Sequence, residues 1–243
     1  MSRRLHNSRR TICGLDRTVP NSAHMNLASN AKASCEADGI YVGRCSTTQG
    51  FLDLAFALGH PVGDIRDRRI LKTISPRAGT AAPVNTLSSR YGFSAFPFHT
   101  ETAYWRQPAR YVLLRCISPG SGARQTLVHD CHTWRLSSEE RTTLSRAIWK
   151  VSAPSPFLVS ILENGSSMFS IRFDLDCMEP ATRDCTESRA IVTSLIGSRA
   201  PRPISWQEND LLVIDNWRCV HARGPAAQAD GDRVLERILV RQR

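Results

Sequence analysis

From Ile70 onward the chain is cut into short apolar runs by Gly, Pro, Ser and Asn, and this punctuation constrains the fold more than any other feature. Tyr111–Val112–Leu113–Leu114–Arg115–Cys116–Ile117 has the length and composition of a strand, and Ser118–Pro119–Gly120–Ser121–Gly122 closes it. Thr126 to His129, Met168 to Phe173, Leu211 to Asp215 and Val234 to Val240 read the same way. Two helices stand among the strands. Gln49 to Gly59 places Phe51, Leu54, Ala55 and Leu58 on one face, with Gly59 as its stop and Pro61 beyond. Ser137 to Ile148 opens on a serine cap and carries Glu139 and Glu140 in its first turn. Many short strands with turn signals and few helices predict a mainly β protein with flanking helices, built as a jelly roll or sandwich.

A chain of 243 residues has room for one sizeable core, and neither a repeat nor a linker divides it. Residues 1–48 are weakly patterned. They read as a basic N-terminal arm, and 49–243 as the jelly-roll domain. Arg3, Arg4, Arg9 and Arg10 precede the first acid, Asp16, but no apolar stretch follows them, so an arm is expected rather than an export or transit signal. The longest apolar runs, such as Leu211–Leu212–Val213–Ile214, fall far short of the ~18 residues that span a bilayer, so no membrane is expected. Eight cysteines occur without a C-x-x-C pair and without an export signal, which points to reduced thiols and a cytoplasmic protein.

The net charge is +10, from 32 Lys+Arg against 22 Asp+Glu, and most of the cations are arginine. A basic nucleic-acid-binding protein is one reading of that excess. The arginines are scattered, however, without a block of five or six and without the aromatic interleaving of a nucleic-acid module. A pocket for small anions accounts for them better.

His99–Thr100–Glu101 and His221 carry the chemistry. On extended backbone, residues two apart share a face, so His99 and Glu101 point the same way and Thr100 points away. His221 follows the strand 211–215 and the turn-like Asp215–Asn216–Trp217. Two imidazoles and one carboxylate on one side of an octahedron leave positions open, which is the facial triad of non-haem iron(II) oxygenases. His129, Cys131 and His132 lack a fourth ligand at zinc spacing.

The segments Asn85 to Gly92 and Phe96–Pro97–Phe98–His99–Thr100–Glu101–Thr102–Ala103–Tyr104, with Asp215 to Gly224 and Asp230 to Arg237, resemble the iron(II)/2-oxoglutarate dioxygenases of the taurine dioxygenase and clavaminate synthase group. The likeness runs in order over roughly residues 70–240. It implies a double-stranded β-helix of the cupin-like kind, Fe(II) bound by His99, Glu101 and His221, and 2-oxoglutarate and dioxygen as co-substrates. Glu101, where many relatives carry Asp, is similar to the amino-acid-hydroxylating and clavaminate-synthase-like branch. The implied reaction is oxidation, by default hydroxylation, of an unactivated C–H in a small, carboxylate-bearing molecule. A jelly roll that had lost its chemistry would not need all three ligands, and all three are present.

The resemblance also places the co-substrate. Arg237, 16 residues after His221, stands near the family's oxoglutarate arginine and is expected as the primary anchor, with Arg233 in support. Thr126, opening a strand after the glycine-rich turn, stands where the family has a hydroxyl on the oxoglutarate carboxylate. Asn85, Ser88, Arg172 and Arg223 are candidate contacts to the prime substrate, with Arg90 beside them. Tyr104 and Trp105 are expected either to wall the pocket or to pack in the core. The chain is shorter than is typical of the group toward its N-terminus, which leaves one pocket wall either open or filled by the partner subunit of a homo-oligomer.

Overall fold

The computed structural model describes residues 22–63, 68–84, 86–152, 155–164, 169–228 and 230–242. In chain order the elements begin with helix α1 (Ser22–Asp38), strand β1 (Ile40–Arg44), helix α2 (Thr48–Leu58), strands β2 (His60–Val62) and β3 (Lys72–Ile74) and the short helix α3 (Leu87–Tyr91). Strands β4 (Tyr111–Ser118) and β5 (Thr126–Asp130), helix α4 (Ser138–Arg146) and strands β6 (Trp149–Val151), β7 (Phe157–Val159), β8 (Leu162–Asn164), β9 (Phe169–Ile171) and β10 (Met178–Pro180) follow. Helix α5 (Cys185–Gly197) and strands β11 (Arg202–Ile204), β12 (Asp210–Asp215), β13 (Cys219–Arg223) and β14 (Val234–Arg241) complete the fold.

The strands form a jelly roll of antiparallel sheets. The major sheet has the order β1-β12-β4-β14-β2, with β3 also on β14, and the minor sheet has the order β11-β5-β13. Alternation along β4 and β12 explains the layering. Tyr111, Leu113, Leu211 and Val213 face α1 and α2, where Phe51, Leu54, Ala55 and Leu58 cover them. Val112, Leu114, Cys116, Leu212 and Ile214 face Val128, Ile204 and Cys219 of the minor sheet. Strand β14 obeys the same rule: Ile238 and Val240 lie on the helix side, Leu235 and Leu239 on the minor-sheet side. A third cluster, built around Trp149, Leu144, Ile161 and Val192, packs the smaller sheet β10-β6-β7 against α4 and α5.

The expected helices form as the sequence reads. The Thr47 hydroxyl accepts from the Gly50 N–H at 3.1 Å to start α2. Ser137 and Glu140 make the reciprocal capping box of α4. The expected arm over 1–48 is corrected from residue 22 onward, because α1 and β1 belong to the main body. Ala28, Ala31 and Cys35 sit in the core, and β1 pairs along β12 with Ile40 opposite Ile214. The buried face of α1 is alanine and cysteine, too weakly apolar to show as a helical period. Gly39, at φ +75°, turns the chain from α1 into β1 where a Cβ would lie 2.4 Å from the Cys219 sulfur. Arg218 closes the same corner, donating to the Cys35, Glu36 and Ala37 carbonyls at the end of α1. Helix α5 and strands β6, β7, β8 and β10 were not legible in the sequence; they are short, or rich in Ser, Thr and Arg.

Among the described residues no helix is long and apolar enough to cross a membrane, and seven cysteines carry free thiols. Leu113, fully buried in central β4, is expected to cost about 2–5 kcal/mol when cut to alanine. Leu158→Ala, at a side chain 66% exposed, is expected to stay within about 0.5 kcal/mol. Urea unfolding of the two variants checks both.

Candidate metal centre

His99 and His221 are brought together by backbone. Each N–H donates to the other's carbonyl at 3.0 Å, an isolated antiparallel bridge that ties the segment before Thr100 to β13. The two rings lie with centroids 4.5 Å apart. Glu101 is not on a strand, contrary to the extended backbone expected there. It sits in a turn just past the bridge, and Thr102, at φ +58°, carries the chain round. Thr100 does point away: its hydroxyl donates to the Ile171 carbonyl and accepts from the Phe173 N–H.

The turn is pinned from several sides. The Asn216 side chain accepts from the Glu101 N–H at 2.8 Å and donates to the Glu101 and Ala109 carbonyls, each at 2.9 Å. Thr102 Oγ1 donates to the Glu101 carbonyl and accepts from the Ala109 N–H. Arg172 then cages the following loop, donating to the carbonyls of Ala103, Trp105 and Arg106, with Glu163 as its counter-ion at 3.1 Å. One potential ligand atom from each of His99, Glu101 and His221 lies within 4.8 Å of the others. Among the described residues this is the one such cluster of His, Cys, Asp and Glu. His132 is committed instead to the Phe169 carbonyl at 2.8 Å.

The electrostatics suit a cation. The Pro97 carbonyl only accepts, so the His99 Nδ1 at 3.0 Å carries the proton and Nε2 keeps its lone pair. Burial, helped by the neighbouring His99, pushes His221 down to about 3, so its ring is neutral across the physiological range. Its Nδ1 is buried without a partner. Glu101 is held below the usual carboxylate range: burial opposes its ionisation, but the Arg237 guanidinium beside it leads the effects that outweigh burial. Asp174 lies close enough to feel His99, and burial raises its carboxyl.

The sequence-derived contacts divide. Arg237 reaches the site, but its Nη1 donates to Glu101 Oε2 at 2.9 Å. Arg233, four residues earlier, is buried beside Cys116 and Asp230, and its Nε has no partner. Burial, with Arg124 nearby, lowers it to about 10. Room for it comes from Gly120, at φ +72°, where a Cβ would stand 2.7 Å from the Arg233 Cβ. Thr126 is buried at the start of β5 and its Oγ1 accepts from Trp206 at 3.1 Å, which leaves the hydroxyl proton to give.

Arg172 and Arg223 are both engaged by backbone carbonyls. The first serves the loop carbonyls just named; the second lies 3.5 Å over the Phe96 ring and donates to the Gly92 and Ser94 carbonyls. Arg90 pairs with Asp176. Ser88 lies half-buried in α3, and Asn85 is outside the described residues. Trp105 is core, and Tyr104 packs against it. Sequence reading gave no role to Asn216, although it stands in the quoted segment before His221. It also missed the fully buried Arg124–Asp230 pair, which holds the Phe93 and Gly224 carbonyls. An open depression of about 430 Å³ borders that pair, lined by Phe93, Ser94 and Pro225, and the three clustered ligand residues do not line it.

Among solved structures, the chain is similar to an asparagine oxygenase in complex with Fe(II), 2S,3S-3-hydroxyasparagine and succinate, with a TM-score of 0.74 and 17% identity over 90% of this chain and 79% of that one. The chain has its fold. The non-heme iron oxygenase OrfP in complex with Fe and alpha-ketoglutaric acid gives a TM-score of 0.70 and 20% identity over 90% and 80% of the two chains. OrfP in complex with Fe, succinate and (3R,4R)-dihydroxy-L-Arg gives 0.72 and 18% over 92% and 82%. No protein-family profile and no curated protein matches the sequence. Identities this low establish the jelly roll and leave the activity to be argued from the site.

The depressed His221 has a pH signature in the metal-free protein. As pH falls below about 6.5 the unfolded chain takes up a proton that the folded ring refuses until about 3, so this residue removes stability progressively across that window. Ring NMR is expected to show His221 unprotonated from about pH 7 to about pH 5. A midpoint inside that range would mean an exposed ring.

Proposed function

We propose that this chain is an Fe(II)- and 2-oxoglutarate-dependent dioxygenase that oxidises an unactivated C–H bond of an amino acid or amino-acid-derived molecule. The observation that carries the reading is the convergence of the His99, Glu101 and His221 donors within 4.8 Å. The donor set fits the metal. Two nitrogens and one oxygen suit iron(II), the His99 tautomer is already set, and burial keeps the His221 ring neutral with a lone pair to give. Iron(II) held there would couple the oxidative decarboxylation of 2-oxoglutarate by dioxygen to oxidation of the substrate.

The chain's own residues supply charge and orientation. Arg233, rather than the expected Arg237, is the better anchor for the distal carboxylate of oxoglutarate, because Arg237 is engaged by Glu101. The Thr126 hydroxyl donates to the same carboxylate while Trp206 fixes its oxygen. The packed walls from Val128, Trp206 and Leu235 keep this end dry and strengthen both contacts. Asn216, Thr102 and Arg172 hold the Glu101 turn. The amino-acid products named for the asparagine oxygenase and OrfP support an amino acid as the substrate class. The substrate is a small molecule; a second copy of the chain as partner, and a cytoplasmic location, remain part of the proposal.

Mixed anaerobically with Fe(II) and 2-oxoglutarate, the protein is expected to show the weak visible charge-transfer band of the chelate. His99→Ala and His221→Ala are expected to abolish it, and a band surviving both changes would refute the ligand assignment. Arg233→Ala is expected to raise the oxoglutarate dissociation constant between about 30-fold and a few thousand-fold, the effect of removing one partner of a buried charge pair. Titration of the same band measures it, and an unchanged constant would move the anchor elsewhere.

A further inference from the structure

Glu101 has an unusual constraint for a metal-binding carboxylate. Its main chain is fixed on both sides, by Asn216 on its N–H and by Asn216 and Thr102 on its carbonyl. Its side chain is then held at one oxygen, Oε2, by Arg237 at 2.9 Å. Arg237 comes from a different sheet. It is anchored in β14 between the buried Leu235 and Leu239, opposite Leu114 on one side and Lys72 on the other. A rigid strand therefore delivers this guanidinium to the turn, and both partners are largely buried, with side-chain exposures of 14% and 16%.

The chemistry gives that contact a purpose. A glutamate has a longer arm than an aspartate, and a free carboxylate on such an arm binds a cation through one oxygen or both. Three single-atom ligands leave half of an octahedron open; a chelating carboxylate removes one of those positions. Oxoglutarate needs two for its keto acid and dioxygen needs another. Resting on the metal-centre reading above, we propose that Arg237 is a positioning residue that occupies Glu101 Oε2, so that Glu101 is a one-oxygen ligand and three coordination positions stay available. Arg237 then acts through Glu101 on the metal, while Arg233 serves the co-substrate.

Water-proton relaxation with Mn(II) as the probe, on the full chain without oxoglutarate, tests this. Arg237→Gln is expected to lower the bound-Mn(II) relaxivity by about one third, as three metal-bound waters become two. Arg237→Lys, which can still reach Oε2, is expected to restore it. Circular dichroism checks the fold, and Arg237→Met replaces the glutamine variant if that one is misfolded. Equal relaxivity in all these proteins overturns the proposal, as does a fall in Mn(II) affinity with the relaxivity unchanged. The metal-centre reading fails separately: a His99→Ala/His221→Ala double variant that binds Mn(II) as the wild type does would remove it, and the proposal with it.

Discussion

Two hydrogen bonds between the backbones of His99 and His221 hold this site together. They join a turn that follows a loop-rich segment to a strand of the minor sheet, and every feature of the centre is referred to that junction. Because the contact is main chain to main chain, it fixes how far apart the two side chains leave the backbone, whatever rotamer each adopts. The hydrophobic layer between the sheets keeps the junction in place. Leu212, Ile214 and Val128 are buried in it, and β13 is held from both faces, with Cys219 in that layer and Val220 in the cluster packed against α4 and α5.

The arginine-rich composition finds its explanation around this junction. Arg172, Arg218, Arg223 and Arg124 each donate to two or more loop or helix-end carbonyls, and three of them also pair with an acid. Irregular backbone near a buried site has acceptors that no sheet or helix satisfies. A planar guanidinium with five donors answers several of them at once. These four arginines are thus part of the internal structure. Arg233 differs from these four in that its buried Nε has no protein acceptor. That difference is why the proposed anion site falls to it and not to the structural arginines that look like it in the sequence.

Four strands of the two facing sheets, β4, β5, β12 and β14, were legible because burial on alternate residues, or on both faces, writes a pattern into them, whereas β2, β3, β11 and β13 were not. Helices α2 and α4 were legible through their caps and apolar faces. Helix α1 was not, since alanine and cysteine make its core contact. Strands β6, β7 and β10 were not, since each is three residues long and closes a satellite cluster. The three donors could be picked out as residue types at the right order and spacing. The use of Arg172 and Arg223 could not, because a guanidinium on a carbonyl and one on a substrate carry the same local sequence.

The sequence by itself determined the β-rich class, the two central helices and the identity of two imidazoles and a carboxylate as a possible metal set, because periodicity and donor chemistry are local properties. Only the tertiary structure decided that Glu101 reaches the site from a turn rather than a strand. It alone showed that Arg237 meets Glu101 while Arg233 is buried near Asp230 and Cys116. Those outcomes depend on which distant segments pack together, and a residue's partners across two sheets are not encoded in its neighbours along the chain.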